Sequence, residues 1–116
     1  MPAHEVFTNL HTSDVDRARD FFALLGLTEV TMNQGWVARF VDPATGAAVQ
    51  VVTTDATAPE DSVMTIKVSD VDATHADLVA RGYEIVHPPT DEPWGVRRFF
   101  VRNPDGHVIN VAQHYT

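Results

Sequence analysis

The sequence predicts an α+β fold built from two consecutive βαβββ modules in one chain of 116 residues. Two observations lead there. Ser13-Asp14-Val15-Asp16 recurs as Ser69-Asp70-Val71-Asp72, an offset of 69 − 13 = 56 residues, and at that offset Gly26 falls on Gly82 and Val30 on Val86. One ungapped repeat at half the chain length marks two structural copies. Around each copy the residue pattern also runs through the same succession of one strand, one helix and three strands. If the copies are related by a pseudo-twofold axis, equivalent strands meet at that axis. A site there draws on matched positions from both halves.

In the first module, Glu5 to Thr12 alternates as a strand, with Phe7, Asn9 and His11 on one face and Val6, Thr8 and Leu10 on the other. Ser13 and Asp16 have capping-box spacing, and Val15, Ala18, Phe22 and Leu25 follow at helical intervals until Gly26 supplies a stop. Leu27 to Met32 reads as a strand, Asn33-Gln34-Gly35 as a hairpin turn and Trp36 to Val41 as the returning strand. Asp42 to Gly46 forms another turn before a strand from Ala48 to Thr53. Asp55 to Asp61, with Pro, Ala, Thr and acids but no periodicity, connects the halves.

The second module repeats this plan. Val63 to Val68 is a strand, Ser69 and Asp72 repeat the capping box, and Val71, His75, Leu78 and Val79 line a helix that stops at Gly82. Tyr83 to Val86 reads as a strand, and His87 to Pro93 as a rigid, irregular excursion imposed by its prolines. Trp94 to Arg102 and His107 to His114 complete the module around the turn Asn103-Pro104-Asp105-Gly106. The modules span about 4–54 and 62–114. A half of about 56 residues is marginal alone, so the expectation is a single cooperative domain over 1–116.

Composition narrows the function. Eight Lys and Arg against sixteen Asp and Glu give −8, which opposes nucleic acid and anionic membranes because phosphate contacts need clustered positive charge. The same acidity is compatible with a cationic ligand. The absence of Cys removes disulfides, thiolate metal sites and cysteine nucleophiles. No apolar run approaches ~20 residues, and Met1 to Glu5 lack the basic and apolar parts of a signal peptide, so a soluble cytoplasmic protein is expected. No Ser-His-Asp order, Walker loop, dinucleotide glycine fingerprint or His-Glu-x-x-His is present.

With its paired Ser-Asp-Val-Asp helix starts, Phe21-Phe22, Gly26-Leu27, Pro93-Trp94-Gly95 and Asn103-Pro104-Asp105-Gly106-His107, the chain resembles the vicinal oxygen chelate superfamily. That group contains glyoxalases, extradiol dioxygenases, fosfomycin-modifying enzymes and bleomycin-type resistance proteins. The resemblance implies curved mixed sheets that form a cup, commonly completed in a homodimer. It also implies, for metal-dependent members, four ligands in that cup, one from the first and one from the last strand of each module. Counting from the helix starts and turn glycines puts those positions at Phe7, Val63, Gln50 and Asn110. Phe and Val offer no lone pair, and two neutral amides do not offset dehydration of a divalent ion. No metal and no other cofactor is expected. The four positions describe a pocket floor suited to an organic ligand.

Other residues join that floor. His11 shares a face with Phe7 and Asn9, and His114 shares one with Asn110, which places both at the cup's rim. Trp36 and Trp94 open matching strands beside glycines and offer stacking surfaces for an aromatic or cationic ligand. Of the six histidines, His4, His75, His87 and His107 read as structural. Glu5 is a candidate base if buried, although a near-terminal position favours solvent. Asp42, Asp55, Asp61, Asp91 and Glu92 read as solvated loop acids, Phe40, Phe99 and Phe100 as core, and Arg39, Arg97 and Arg98 as members of separate ion pairs. The expected function is noncatalytic binding of a small organic ligand by a homodimer, of the antibiotic-sequestering type. The alternative is a glyoxalase-like lyase, isomerase or dioxygenase-type enzyme with a metal site absent or unrecognised.

Overall fold

The computed structural model describes residues 3–30 and 36–115. The predicted Asn33-Gln34-Gly35 turn lies outside the described residues. The chain has the mixed α+β architecture of two βαβββ modules. The first comprises β1 (Ala3–His11), α1 (Val15–Leu24), β2 (Thr28–Val30), β3 (Val37–Val41) and β4 (Ala48–Val52). The second comprises β5 (Met64–Val68), α2 (Val71–Ala80), β6 (Ile85–Glu92), β7 (Val96–Arg102) and β8 (Val108–His114). Among the described residues, no helix is long and apolar enough to cross a membrane.

Two compact units follow the modules, Phe7–Thr57 and Ala58 onward, the latter joined by the start of β1 up to Val6. Within the first, the strands lie in the order β2-β3-β4-β1; within the second, in the order β5-β8-β7-β6. Each module pairs its first and last strands in parallel, β1 with β4 and β5 with β8. The other pairs within the modules, β2 with β3, β3 with β4, β6 with β7 and β7 with β8, are antiparallel. Where the start of β1 joins the second unit, Glu5 Oε1 lies 3.1 Å from Lys67 Nζ, so Glu5 is held in an ion pair.

In each module one sheet face carries the helix. Val15, Ala18 and Phe22 of α1 pack with Leu27 and Val49 on Ala38, Phe40 and Val51, and the Phe22 and Phe40 rings stack 5.3 Å apart. On the second sheet, Val71 joins Val68, Phe99, Val101 and Val111, with Leu78, Ile66, Ile85 and Ile109 around them. His75 sets its ring edge on Phe99 at 5.1 Å. Both helices end in the same Schellman arrangement. Leu27 N–H donates to Phe22 O and Gly26 N–H to Ala23 O; Tyr83 N–H donates to Leu78 O and Gly82 N–H to Val79 O. Gly26 and Gly82, at φ 87° and 86°, supply the left-handed residue this requires.

Three expectations are corrected. The helix caps are Asp14 and Asp70, not Ser13 and Ser69: Asp14 Oδ1 accepts from the N–H groups of Asp16 and Arg17, and Asp70 Oδ1 from that of Ala73. The helices begin one residue later than a Ser cap would set them, and the adjacent carboxylate reaches the open N–H groups of the first turn. Leu25 and Val79 do not line the core. They are 64% and 49% exposed: Leu25 is the C-cap residue, beyond the last turn of α1, and Val79 is turned about 100° away from Leu78, the residue of that turn that packs on the core.

The third correction is the largest. His87 to Glu92 is not an irregular excursion but the second half of β6, paired with β7. The ladder shifts register between Ile85 and His87 and again between His87 and Thr90, and the second shift passes over Pro88 and Pro89. β6 is the outer strand of its unit, where a missing N–H is tolerated at such an irregularity. As a result Glu92 is not a solvated loop acid. Only 6% of it is exposed.

Candidate functional site

Strand alternation leaves one face of each sheet free of its helix, and the residues of interest lie on it. In the first module the register sets Asn9, Gln50 and Arg39 in a row across β1, β4 and β3. Gln50 Oε1 accepts from Arg39 Nη2 at 3.1 Å and Nε at 3.4 Å. Gln50 Nε2 donates to Asn9 Oδ1 at 3.1 Å. The Arg39 guanidinium lies 4.0 Å from the centroid of the Phe7 ring, and Phe7 is buried. Phe7, Asn9 and Gln50 therefore come together as one cluster. Arg39, which sequence reasoning assigned to an isolated ion pair, is the residue that ties it.

The second module has the corresponding row: Thr65, Asn110 and Phe100 lie across β5, β8 and β7. Asn110 Nδ2 donates to Thr65 Oγ1 at 3.0 Å. Its Oδ1 is buried with no hydrogen-bond partner among the described residues. Leaving such an acceptor unmet costs about 1–3 kcal/mol.

Beside this row is a buried charged group. Arg98 Nη2 meets Glu92 Oε2 at 2.6 Å, with both side chains almost wholly enclosed. The Arg98 guanidinium lies 5.0 Å from the Trp94 ring centroid and 4.9 Å from that of Phe100. His87 rests edge-on against Phe100 at 5.4 Å, and its Nε2 is 4.0 Å from Glu92 Oε2. Such a pair persists away from water only when each charge is compensated, here by the close contact between them and the aromatic faces beside the guanidinium.

The other expected residues lie at or beside strand ends. His11 and His114 are exposed at strand ends. Trp36 is half-buried just before β3, and its carbonyl accepts from Thr53 N at 2.8 Å and Oγ1 at 3.2 Å. Val63, 44% exposed just before β5, borders a shallow apolar pocket of 440 Å³ with Met64, Asn103, His107 and Ile109. Thr65, Phe100, Arg98 and Glu92 join Arg39 as members of the two clusters that the sequence reading did not select. One signal was available for Thr65, which lies 65 − 9 = 56 residues after Asn9, at the repeat offset.

The four positions that would hold a divalent ion in a metal-dependent relative do not fit one. Phe7 offers no lone pair and lies under a guanidinium cation, while Gln50 is already engaged by Arg39 and Asn9. Val63 has no donor atom. Among the described residues no three His, Cys, Asp or Glu side chains converge. Asn110 offers an open but neutral amide oxygen, and that alone supplies neither the charge nor the number of donors that a catalytic ion requires. The faces instead offer aromatic, amide and guanidinium groups, which bind organic molecules by stacking and hydrogen bonding.

Several solved structures share this fold. A protein named NAD-dependent benzaldehyde dehydrogenase from Legionella pneumophila matches with TM-score 0.79 at 20% identity, over 95% of this chain and 99% of its own. Methylmalonyl-CoA epimerase from Mycobacterium tuberculosis matches with TM-score 0.73 at 21% identity, over 95% of this chain and 87% of its own. An uncharacterized protein from Methanosarcina mazei gives 0.66 at 24% identity, over 98% and 94%. At these identities the likeness is one of fold. No curated protein matches the sequence. The model of the Glyoxalase/Bleomycin resistance protein/Dioxygenase superfamily matches residues 6–111, and with that span and the paired βαβββ modules the chain belongs to this superfamily.

Proposed function

We propose that the chain is a noncatalytic small-molecule-binding protein of the antibiotic-sequestering kind. The observation that supports this reading best is the engagement of Gln50 by Arg39 and Asn9, with the guanidinium over Phe7. It turns a position that holds a metal ligand in metal-dependent relatives into a fixed organic surface. Sequestration needs only affinity, and aromatic faces with a few placed polar groups provide it. Small proteins that bind this way are stabilised by their ligands according to concentration over Kd, by about 2.7 kcal/mol at a hundredfold excess over Kd. A thermal-stability screen against cationic glycopeptide and polycyclic antibiotics tests the reading. A concentration-dependent rise in Tm with at least one class is expected; no rise across the panel removes it. The exposed apolar residues Phe21, Leu24 and Leu25 on and after α1 favour a homodimer, to be checked as a sedimentation mass twice the 12.8 kDa chain.

A second reading, an enzyme of the glyoxalase-like lyase, isomerase or dioxygenase type, is favoured by the buried Arg98, Glu92 and His87 group. Enclosed titratable side chains in mutual contact are a frequent mark of acid–base chemistry. Elemental analysis after chelator-free purification separates the readings: a stoichiometric divalent metal supports the enzyme and overturns the binder.

A further inference from the structure

We infer that Asn110 reads an N–H or O–H group on the ligand through its Oδ1, a task that the matched Gln50 of the first module does not perform. The inference rests on the ligand-binding reading above and names the chemistry that the ligand presents. In both modules an amide on the last strand sits in the middle of a three-residue row. On one side, Asn9 and Thr65 each receive the amide's N–H, at 3.1 Å and 3.0 Å. On the other side the modules part: Gln50 faces Arg39, which donates twice to its Oε1, whereas Asn110 faces Phe100, which has nothing to donate.

An amide oxygen has two acceptor sites, and Asn110 Oδ1 has neither filled among the described residues although only 9% of the residue is exposed. Buried polar atoms in folded proteins are almost always satisfied, so one left open beside apolar walls points to a partner that arrives from outside the chain. A strong donor two residues along β7 from Phe100, the Arg98 guanidinium, is drawn to Glu92 at 2.6 Å. Fully buried Phe100 and Ala112, with Val108 along β8, make the surroundings apolar. The ligand class is therefore an organic molecule with an apolar, preferably aromatic body and a polar hydrogen directed at Asn110.

Three probes of nearly equal shape test this on the full chain by ligand-observed NMR: indole, which donates; benzofuran, which accepts only; and N-methylindole, which does neither. Indole is expected to bind roughly 3- to 10-fold more tightly than either analogue, the range of one net hydrogen bond. Its addition alone should shift the Asn110 side-chain amide signals in a ¹⁵N-labelled sample. In Asn110→Leu the preference should vanish. Equal binding of the three probes by the wild type, a preference for benzofuran, or a preference that survives in Asn110→Leu each overturns the inference while leaving the ligand-binding reading intact. Failure of all three to bind at millimolar concentration overturns both.

Discussion

In the first module Arg39 reaches from β3 to Gln50 and covers Phe7; in the second, the residue at the same register is Phe100, and the nearby cation, Arg98, turns instead to Glu92 on the outer strand. Both solutions place a guanidinium against aromatic rings on the face opposite the helix. They differ in what compensates its charge. Gln50 is a neutral acceptor, and its row is only half-buried; Glu92 is a formal charge, and its pair is enclosed. A duplicated module thus keeps its backbone plan while one copy invests in an internal hydrogen-bond cluster and the other in a buried ion pair. The first arrangement satisfies its amide, and the second leaves Asn110 Oδ1 open.

The sharpest way to break this contrast is to remove one partner from each cluster. Glu92→Ala leaves the Arg98 charge buried without its counterion, and about 3–5 kcal/mol of stability should be lost in urea unfolding. Arg39→Met, which removes a charged donor to a neutral amide in a half-buried site, should cost about 1–2 kcal/mol. The double variant Glu92→Leu/Arg98→Met should recover most of the loss, since apolar residues of similar size replace such pairs at little cost. Equal losses for Glu92→Ala and Arg39→Met would mean that enclosure does not separate the two modules.

A smaller difference is expected along the helices. Val15 and Val71 occupy the same place in the repeat, yet Val71 is fully buried and Val15 only half-buried. Val71→Ala should cost about 2 kcal/mol and Val15→Ala no more than about 1, because the cavity left at the buried site cannot be filled by solvent. The order of the two midpoints is the test.

The helix starts reported the duplication, and why they did so explains what else the sequence made legible. Strand 1 and the helix are joined without an insertion, so a constant offset of 56 relates Val15 to Val71, Asn9 to Thr65 and Phe7 to Val63. Turn signals then placed Gln50 and Asn110. After the helix the offset drifts: 100 − 39 = 61 on the third strand and 110 − 50 = 60 on the fourth, because the loops differ in length. At the repeat offset Arg39 falls on Gly95, not on Phe100, which concealed the substitution that distinguishes the two rows. Glu92 was missed for a different reason. Pro88, Pro89 and Pro93 argue against regular structure, and only the register shifts on an outer strand reconcile the first two with a ladder. The capping box misled by one position because Ser13 and Asp14 are both good caps, and the choice between them depends on where the helix starts.

That choice gives a prediction in which the order of the modules reverses. Asp14 accepts from two N–H groups and Asp70 from one. Asp14→Ala should cost about 1 kcal/mol, and Asp70→Ala somewhat less, while Ser13→Ala and Ser69→Ala should change stability by under about 0.5 kcal/mol. Thermal or urea unfolding of the four variants decides it, and a larger loss at either serine would restore the Ser cap.

The smallest effect concerns the turns that precede β4 and β8. In the first module Asp42 organises the turn: its carboxylate accepts from Ala44 N–H at 3.0 Å and from Thr45 Oγ1 at 2.8 Å. These bonds, the Ala44 backbone bond first, hold its pKa below the ordinary carboxylate value. In the second module Asn103 takes the same place, its Oδ1 accepting from the N–H groups of Asp105 at 3.1 Å and His107 at 2.8 Å, and an amide does not titrate. A carboxylate with a lowered folded pKa adds stability that is complete above its unfolded pKa and disappears as pH falls through the folded one. Acid should therefore loosen the first turn and spare the second. Asp42→Asn should flatten the fall of Tm as the pH drops through and below the ordinary carboxylate range, and Asn103→Asp should steepen it. Because Asp42 lies in solvent the change is slight, and it is read from the slope of Tm against pH more than from any single value. Identical slopes in all three proteins would show that the two turns, charged and neutral, respond to acid alike.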